Sequence, residues 1–343
     1  MRLYHFLPWL EAAGIDATVA PLFSDAYVEG LQRGQKQISE VRAAYQKRLC
    51  VLLNAKRFDL VWIEKEALPW MPFWLEHFLL PQSTPYVLDY DDAVFHYYDL
   101  HRNSFIRTLL AGKHPRLMRG AEMVIAGNSY LTDFARSAGA PRVVVFPTGI
   151  DLERYPAPSI KDASSDELPT VGWIGQRATA SFLSPLAPVF RKLADEGRAQ
   201  FSAIGIDAAS LGLRMDSIPW TENSEAASIS RFDIGIMPLV DGPFERGKCG
   251  YKLIQYMACG LPVVASPVGV NRQIVEHGVN GFLATTPEEW ETAICTLLGD
   301  AELRRRMGQA GREKVEQEYC LQVMGPRLVE LLEQGAASSC RKA

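Results

Sequence analysis

The sequence predicts an α/β protein with two doubly wound parallel sheets, one in each half of the chain. Short apolar runs alternate with helical patterns throughout, which is typical of βαβ units and parallel sheets. A length of 343 residues is more than one ordinary core covers, so two domains are expected. A stretch without periodicity, rich in Pro, Ser and acidic residues, separates the two halves.

The first half opens on a helical pattern, RLYHFLPWLEAAG, which Gly14 ends. A doubly wound domain usually begins with a strand, so the first N-terminal strand is expected to be missing. A late or misassigned chain start is favoured over a sheet built one strand short. Helices are predicted between the strands, the longest near 27–54. The strands of this half are predicted at 16–23, 59–65, 85–91, 123–127 and 142–147.

The second half repeats the same alternation more regularly. Its strands are predicted at 170–175, 201–206, 232–239, 261–266 and 280–285. Its helices are predicted near 180–196, 223–231, 249–259, 270–277, 287–299, 301–318 and 320–334. We therefore expect an N-terminal domain, a linker, a second domain, and a C-terminal helix and tail that packs back on the N-terminal domain, with bounds at 1–148, 149–168, 169–318 and 319–343. A cleft is expected between the two sheets, with ligands outside the carboxyl ends of their strands.

Composition excludes several classes of protein. A net charge of −4 and a pI near 5.9 give no support to nucleic-acid binding. The six cysteines form no CxxC or Cys/His pattern, which argues against a zinc site or a disulfide framework and favours a reducing compartment. Neither a signal peptide nor an apolar run of eighteen residues is found. We expect a cytoplasmic protein.

The segment GKCGYKLIQYMACGLPVVASPVG places two lysines at the start of a predicted helix, where positive charge opposes the macrodipole. A bound anion would explain them, because a helix N-terminus offers free N–H groups and partial positive charge. Lys248 and Lys252 would add full charges, and Gly250 would let a phosphate approach the backbone. Gln255 shares a helical face with Lys252 and suits a ribose diol. Solvated surface lysines are the alternative.

Residues 233–283, which contain this segment, resemble the donor-binding region of family-4 (group 1) glycosyltransferases. GWIG, VVVFPTGID, DLVWIEKEALP and LDYDDAVF resemble further parts of the same family, so that only the first strand lacks a counterpart. The resemblance implies the GT-B fold, two Rossmann-like domains facing a cleft. It also implies a retaining, metal-independent hexosyl transfer from a nucleotide-diphosphate-sugar, without a cofactor. The donor-binding positions are then Gly175, Arg177, Gly250, Tyr251, Gln255, Gly269 and Asn271.

The chain departs from this family at charged positions. The two glutamates usual around the helix start are replaced by Gly247 and Gln255, and a later glutamate is replaced by Gln273. Only Arg177 remains of the basic pair that follows GWIG. Lys248 and Lys252 are expected to take over the clamping of the diphosphate and to stabilise the leaving group.

The acceptor side is expected in the N-terminal domain, after the strand that carries LDYDD. Asp91 and Asp92 match a His-Asp pair of the family, and carboxylates there can orient an acceptor hydroxyl or accept its proton. A solvated turn or a helix cap is an equal alternative, and a metal site is disfavoured. In AGNSYL, Asn128 or Ser129 is expected to cap the next helix.

Two segments suggest peripheral contact with the inner face of a membrane. LPWMPFWLEHFLL (68–80) is aromatic and apolar, and RTLLAGKHPRLMR (107–119) carries cations. Such a surface would suit a lipid-linked acceptor, but an aromatic stripe of this kind is also common in a buried core.

The leading hypothesis is a glycosyltransferase that moves a sugar from a nucleotide-diphosphate-sugar to a glycan or lipid-linked acceptor, in polysaccharide or cell-envelope glycan synthesis. A non-catalytic binding or scaffold protein of the same fold is the alternative, because the glutamates are altered. A sugar-nucleotide epimerase is a third, weaker hypothesis, since the second half offers only His277.

Overall fold

The computed structural model describes residues 3–32, 37–81, 83–155 and 168–340, which divide into two compact units. The first unit contains the described residues of 3–147 and of 325–340, and the second contains those of 148–324. Each unit has a parallel sheet whose strands are connected through helices. The predicted α/β class is confirmed.

The sheet of the first unit has four parallel strands whose spatial order follows the chain. β3 is buried along its whole length, as expected of a strand with helices on both faces. In the register of β2 and β3, Asp89 lies opposite Ile125 and Tyr90 opposite Ala126, so both strands end at the same edge. The strands are β1 (Val61–Glu64), β2 (Tyr86–Tyr90), β3 (Met123–Ala126) and β4 (Val143–Val145).

The helices of the first unit are mostly short. Asn128 caps α8 by accepting a hydrogen bond from the Leu131 amide at 3.0 Å, which confirms the predicted cap. The helices are α1 (Leu7–Ala12), α2 (Asp25–Gln32), α3 (Ile38–Leu53), α4 (Phe73–Leu79), α5 (His96–Asp99), α6 (Ser104–Leu110), α7 (Lys113–Gly120) and α8 (Ser129–Ser137), with 3₁₀ turns at Tyr4–Phe6 and Ala55–Arg57.

Two predictions for the first half are wrong. Residues 16–23 form no strand and are largely exposed. Pro21 cannot donate a ladder hydrogen bond, and an apolar run needs a neighbouring strand to pair with, whatever its composition. The single helix near 27–54 is two helices, α2 and α3, and residues 33–36 between them lie outside the described part.

The sheet of the second unit has six parallel strands in the order β10-β9-β8-β5-β6-β7. The first strand of the unit, β5, is therefore central, and the chain builds outward from it first to one side and then to the other. The strand order reverses between β5 and β8, which is where doubly wound sheets bind ligands. The strands are β5 (Thr170–Ile174), β6 (Gln200–Ile204), β7 (Asp216–Ile218), β8 (Ile234–Met237), β9 (Val263–Ala265) and β10 (Gly281–Leu283).

Helices cover both faces of this sheet. Val171 and Trp173 point into one apolar cluster and Ile174 into another, as the alternation of a strand requires. The helices are α9 (Arg177–Ala180), α10 (Ala187–Asp195), α11 (Glu225–Ile229), α12 (Pro243–Arg246), α13 (Tyr251–Ala258), α14 (Asn271–Ile274), α15 (Pro287–Gly299) and α16 (Ala301–Glu318), with 3₁₀ turns at Ser181–Leu186 and Ala209–Leu211. The last helix, α17 (Leu321–Cys340), begins in this unit, but most of its residues belong to the first unit.

The helix predicted near 180–196 begins with a 3₁₀ turn that contains Pro185, because proline removes an α-helical hydrogen bond. β7 and α12 were not predicted, since three- and four-residue elements carry almost no periodicity.

Most of the predicted linker, residues 156–167, lies outside the described part. Just before it, Ile150 forms a β-bridge with Cys320 and Tyr155 is buried, both in the second unit. The later part of α17 belongs to the first unit, where Arg327 lies over the Phe146 ring at 5.5 Å and donates to the carbonyl of Val145. The end of α17 therefore packs beside β4.

Candidate active site

The carboxyl end of β5 and the N-terminus of α13 meet at the point where the strand order of the second sheet reverses. β5 leads into Gly175 and α9, while the loop after β8 leads through α12 into α13. Lys252, in the first turn of α13, lies beside Gly175 and α9. The predicted anion site is therefore where a doubly wound sheet binds its ligands.

Lys252 lies over an aromatic ring. Its ammonium nitrogen is 4.2 Å from the centroid of the Trp173 ring and 3.4 Å from the Thr179 hydroxyl. A cation at this distance from an indole face is attracted by the ring quadrupole. Trp173 is almost fully buried, so the ring is a rigid platform beneath the charge.

Gly175 is the residue that makes this arrangement possible. A Cβ at position 175 would lie 2.6 Å from the Lys252 Nζ and 2.6 Å from the Trp173 ring. Any side chain would therefore displace the lysine, the indole or both. The second glycine of GWIG, Gly175, therefore has a physical role at the candidate site.

The pKa of Lys252 is lowered to about 7, first by burial and second by the charge of Lys248. Lys248 is half-buried, and its ammonium nitrogen lies 4.8 Å from the Phe244 ring centroid. Two cations thus lie close enough to repel each other at the start of one helix. A bound anion would favour the charged form of Lys252 and relieve this repulsion.

Gly250 has a different role from the one that the sequence suggested. It adopts the left-handed conformation, with φ of 67°, as the N-cap of α13. A Cβ there would lie 2.4 Å from Ile274 Cδ1 and 3.2 Å from a Val270 methyl. The space that a Cβ would fill at position 250 is therefore bordered by α14 and the residue before it, and the approach of a phosphate to this backbone stays a prediction.

Gln255 is buried and does not share an open face with Lys252. Its amide nitrogen donates to the Tyr155 hydroxyl at 3.0 Å, and Tyr155 donates to a Glu225 carboxylate oxygen. Trp220 donates to the other Glu225 oxygen at 2.6 Å. Tyr251 is also hydrogen-bonded to Tyr155. The pKa of Tyr251 is raised to about 12, and burial is the largest cause. The amide predicted to meet a ribose is therefore held in an internal network.

Three further predicted donor residues differ in accessibility. Arg177 is exposed at the start of α9. Gly269 packs against the backbone of Arg246. Asn271 is buried, and its amide nitrogen donates to the carbonyl of Ser266 at 3.0 Å, while its side-chain oxygen has no partner among the described residues. Of the three, Asn271 leaves a buried acceptor beside Gly250.

The predicted acceptor residues lie in the first unit, at the carboxyl end of β2. The Asp91 carboxylate is 2.8 Å from the ammonium of Lys65, which also contacts Glu64 at 3.2 Å. Burial lowers the pKa of Lys65, but the two carboxylates outweigh it and the net shift is upward. Asp92 is half-buried, and its charge raises the pKa of Tyr97, after the larger effect of burial. Asp91 is therefore neutralised in this structure by a lysine from the neighbouring strand's end.

The sequence did not single out Trp173, Thr179, Phe244 or Glu225. Trp173 lies within the quoted GWIG motif, and the alternation of β5 could have identified it as a buried aromatic residue. The other three depend on contacts between distant segments. Among the residues the structure describes, no group of three or more His, Cys, Asp or Glu side chains could hold a metal ion. Nor is any helix in that part of the chain long and apolar enough to cross a membrane.

Comparison with known proteins agrees with this geometry. The family profile described as "Glycosyl transferases group 1" matches residues 169–300. The N-acetyl-alpha-D-glucosaminyl L-malate synthase of Bacillus anthracis is 34% identical over 77 residues, which are 22% of this chain and 20% of that protein. The D-inositol 3-phosphate glycosyltransferase of Segniliparus rotundus is 29% identical over 197 residues, 51% of this chain and 43% of that protein. The matches thus cover less than half the length of these relatives.

Solved structures show the same fold at low sequence identity. Sucrose-phosphate synthase from Thermosynechococcus elongatus superposes with a TM-score of 0.68 at 18% identity, covering 88% of this chain and 80% of that one. Anabaena Alr3699/HepE in complex with UDP and glucose superposes with a TM-score of 0.66 at 20% identity, covering 95% and 88%. The chain has the GT-B fold, and its residues 169–300 belong to the group 1 glycosyltransferases.

Proposed function

We propose that this protein transfers a sugar from a nucleotide-diphosphate-sugar to a glycan or lipid-linked acceptor, in polysaccharide or cell-envelope glycan synthesis. The observation that carries the proposal is Lys252, held over Trp173 at the switch point of the second sheet with Lys248 nearby. A structural neighbour supports the donor class, since HepE was solved with UDP and with UDP-glucose.

The proposed chemistry follows from where charge develops. When the bond between the sugar and the phosphate breaks, negative charge grows on the departing diphosphate. Lys252, Lys248 and the N-terminus of α13 would stabilise that charge in a partly dehydrated place, where electrostatic stabilisation is strong. Arg177, exposed at the start of α9, would contact the outer phosphate. Retention of anomeric configuration and independence from a metal are proposed from the family resemblance.

Binding of UDP to the full chain tests the donor site. A ligand present at 100 times its dissociation constant raises the free energy of unfolding by about 2.7 kcal/mol. For domains of this size, that raises the melting temperature by roughly 5–10 °C. We expect Lys252→Ala to abolish the shift. Lys192→Ala is the matched control, because Lys192 is an exposed lysine of the same unit, paired with Glu291. No shift with UDP or GDP would contradict the donor site.

A non-catalytic nucleotide-binding protein is the second candidate. Gln255 is committed to Tyr155, and Gly247 has no side chain to replace the family's other glutamate. Release of UDP from UDP-glucose, or of GDP from GDP-mannose, above background and lost in the Lys248→Ala/Lys252→Ala double variant would exclude this candidate. Binding without any turnover would favour it.

The membrane hypothesis has support in the first unit. Trp74 and Phe78 lie four residues apart on α4 and are 65% and 81% exposed, and Trp70, in the turn before the helix, is 51% exposed. Residues four apart share one face of a helix, and exposed aromatic residues on one face suit a membrane interface. We include contact with a lipid surface in the proposed function.

The second predicted membrane segment contributes fewer cations than its sequence suggested. Lys113 is fully buried, 2.6 Å from Glu66 and 2.9 Å from Glu76. The exposed cations of 107–119 are Arg107, Arg116 and Arg119. Those three are the side chains that would meet anionic headgroups.

A further inference from the structure

Two residues in the loop after β1 have a left-handed backbone although neither is glycine. Lys65 has a φ of 63° and Trp70 a φ of 60°, and they are the only residues with a side chain and a positive φ in the described part of the chain. This conformation costs an L-residue free energy, above all a bulky one. Such residues persist only where their surroundings hold them, and they cluster at functional sites.

Buried side chains hold this loop in place. Glu76 is fully buried and accepts hydrogen bonds from the Leu68 amide at 3.2 Å and from the amide before it at 2.7 Å. Lys113, also buried, donates to the Leu68 carbonyl at 2.5 Å. At the end of the loop, the Trp70 amide donates to the Tyr98 hydroxyl at 2.8 Å. The backbone that carries the indole of Trp70 is therefore anchored to the interior of the first unit.

The indole itself is open to solvent. Trp70 is 51% exposed, whereas Tyr98, whose ring lies edge-on to the indole at 5.1 Å between centroids, is 2% exposed. The His101 ring is also edge-on to the indole, at 5.9 Å. These two rings support the indole and leave about half of Trp70 uncovered.

Two N–H groups accompany this exposed ring. His101 Nδ1 accepts a hydrogen bond from the Asn103 amide at 3.0 Å. A ring nitrogen that accepts carries no proton, so the ring proton of His101 is on Nε2. Neither this N–H nor the indole N–H of Trp70 has a hydrogen-bond partner among the residues that the structure describes. An apolar ring and two available donors therefore lie together.

These groups lie at the edge of the first sheet where ligands are expected. The loop with Trp70 follows β1, and the segment with Tyr98 and His101 follows β2. The two strands are adjacent and parallel, so both segments leave the same carboxyl edge. The predicted acceptor residues Asp91 and Asp92 also follow β2, and all of these residues belong to the first unit.

We propose that the indole of Trp70 is the surface on which a sugar ring of the acceptor binds, within the first unit. This inference rests on the proposed function and adds the chemistry of the acceptor, a pyranose ring. One face of a pyranose carries C–H groups of slight positive charge, which pack on the negative face of an aromatic ring. The hydroxyl oxygens at its edge accept hydrogen bonds from N–H groups such as those of Trp70 and His101.

A lipid surface is the other partner that an exposed tryptophan suits, and the anchored loop favours the sugar. Lipids rearrange around an inserted side chain, so lipid contact does not require a tryptophan fixed in a left-handed backbone. A rigid ligand gains from a fixed ring, because a group already held in its bound geometry loses less freedom on binding. Trp74 and Phe78, the exposed aromatic residues of α4, have ordinary helical backbone.

The test uses the full chain without nucleotide, isotope-labelled at its tryptophan indoles. The probes are cellobiose, maltotriose, chitobiose and methyl α-mannoside at millimolar concentrations. We expect at least one of them to move the indole N–H resonance of Trp70 in a saturable way. That resonance is identified as the one that Trp70→Phe lacks.

Dissociation constants for the variants come from saturation-transfer NMR observed on the saccharide. Trp70→Ala should weaken binding by roughly tenfold or more, which is about 1.4 kcal/mol. Trp70→Phe keeps an aromatic ring and should weaken it by less. Tyr4→Ala is the matched control, because Tyr4 is also 51% exposed in the first unit. The control should bind within about twofold of wild type, as is usual for surface substitutions.

Tyr98 is a positioning residue in this proposal. Tyr98→Phe keeps the ring beside the indole but removes the hydroxyl that accepts from the Trp70 amide. We expect the dissociation constant of the saccharide to rise roughly threefold, because the indole is less well fixed before binding. A lower melting temperature with an unchanged dissociation constant would overturn the claim that the anchored loop serves binding.

The outcomes separate this inference from the proposed function. If no saccharide moves the Trp70 resonance, the inference is overturned, whether or not vesicles of phosphatidylglycerol move it. A melting shift with UDP in the same preparation would then leave the donor site standing. A protein that binds a saccharide at Trp70 but releases neither UDP from UDP-glucose nor GDP from GDP-mannose would overturn the transferase function and leave the sugar site.

Discussion

The ammonium group of Lys252 lies 4.2 Å from the centre of the Trp173 ring, at the point where the strand order of the second sheet reverses. The lysine is on α13 and the tryptophan on β5, so the pair joins the two elements that border the proposed donor site. The ring attracts a cation but does not neutralise it. The pair therefore holds a charge ready for an anion.

Binding of UDP should weaken as the pH rises above 7. Burial, and then Lys248, lower the pKa of Lys252 to about 7, and only the protonated amine attracts a diphosphate. Because an anion favours the charged form, binding and protonation are linked. We expect the dissociation constant of UDP to rise roughly tenfold between pH 7 and 8.5, measured by calorimetry. Lys252→Arg stays charged across this range and should remove the dependence; an equal slope in that variant would contradict the assignment.

Gly175→Ala should remove nucleotide binding while the fold persists. The added methyl would lie 2.6 Å from both the Lys252 nitrogen and the Trp173 ring, so the pair must separate. Overpacking of this kind costs about 1–3 kcal/mol. Gly299→Ala is the control, because a Cβ there meets nothing within 4 Å and the glycine has no positive φ. Retention of the UDP shift in Gly175→Ala would show that the pair is not needed for binding.

Gly250→Ala should destabilise the second unit more than Gly278→Ala does. Both glycines have positive φ, 67° and 84°, and share the left-handed strain of about 1–2 kcal/mol. Only at position 250 would the methyl also lie 2.4 Å from Ile274. We expect a further loss of about 1–3 kcal/mol in urea unfolding, partly recovered by adding Ile274→Val. Equal losses at the two positions would refute the packing role of Gly250.

Gln255→Glu, which introduces the carboxylate that the family resemblance predicts at this position, should lower stability near pH 7. The new carboxylate would be buried in the same network as Glu225, which already accepts a hydrogen bond from Tyr155. The substitution would also remove the amide N–H that donates to the Tyr155 hydroxyl. Burial and the neighbouring charge raise the pKa of such a group in the folded state. The destabilisation should therefore be full at neutral pH and fade as the pH falls toward 4. Melting curves from pH 4 to 8 check this, and a pH-independent loss would contradict it.

Removal of two exposed aromatic residues should weaken contact with membranes. Trp74→Ser/Phe78→Ser takes away the side chains that are 65% and 81% exposed on α4. We expect at least a fivefold loss of sedimentation with vesicles containing anionic lipid, which is about 1 kcal/mol of binding free energy. Ile38→Ser is the control, since Ile38 is 71% exposed on α3 of the same unit. If wild type and the double variant sediment alike, α4 is not the contact surface.

Much of the second unit was predictable because its elements repeat a strong local pattern. Every strand predicted between 170 and 285 forms, and the helix bounds predicted at 287–299 and 301–318 agree with α15 and α16. The first half was less predictable. The apolar run at 16–23 resembles a strand, but strand formation depends on a partner that no local pattern reports.

The candidate site shows the same division. Lys248 and Lys252 stood out in the sequence because cations at a helix start are locally unfavourable. For Gln255, helical spacing shows which residues share a face of the helix but not which residues cover that face. Here Tyr155, a hundred positions away, covers it.

By itself the sequence determined the α/β class, the alternation of strands and helices, and the family resemblance of the segment around α13. These depend on periodicity, turn residues and short motifs, which are local properties of the chain. The tertiary structure decided that Trp173 lies beneath Lys252, that Lys65 neutralises Asp91, and that Tyr98 holds the Trp70 amide. The physical reason is that such contacts join segments distant in sequence, and only the packing of the sheets and helices brings them together.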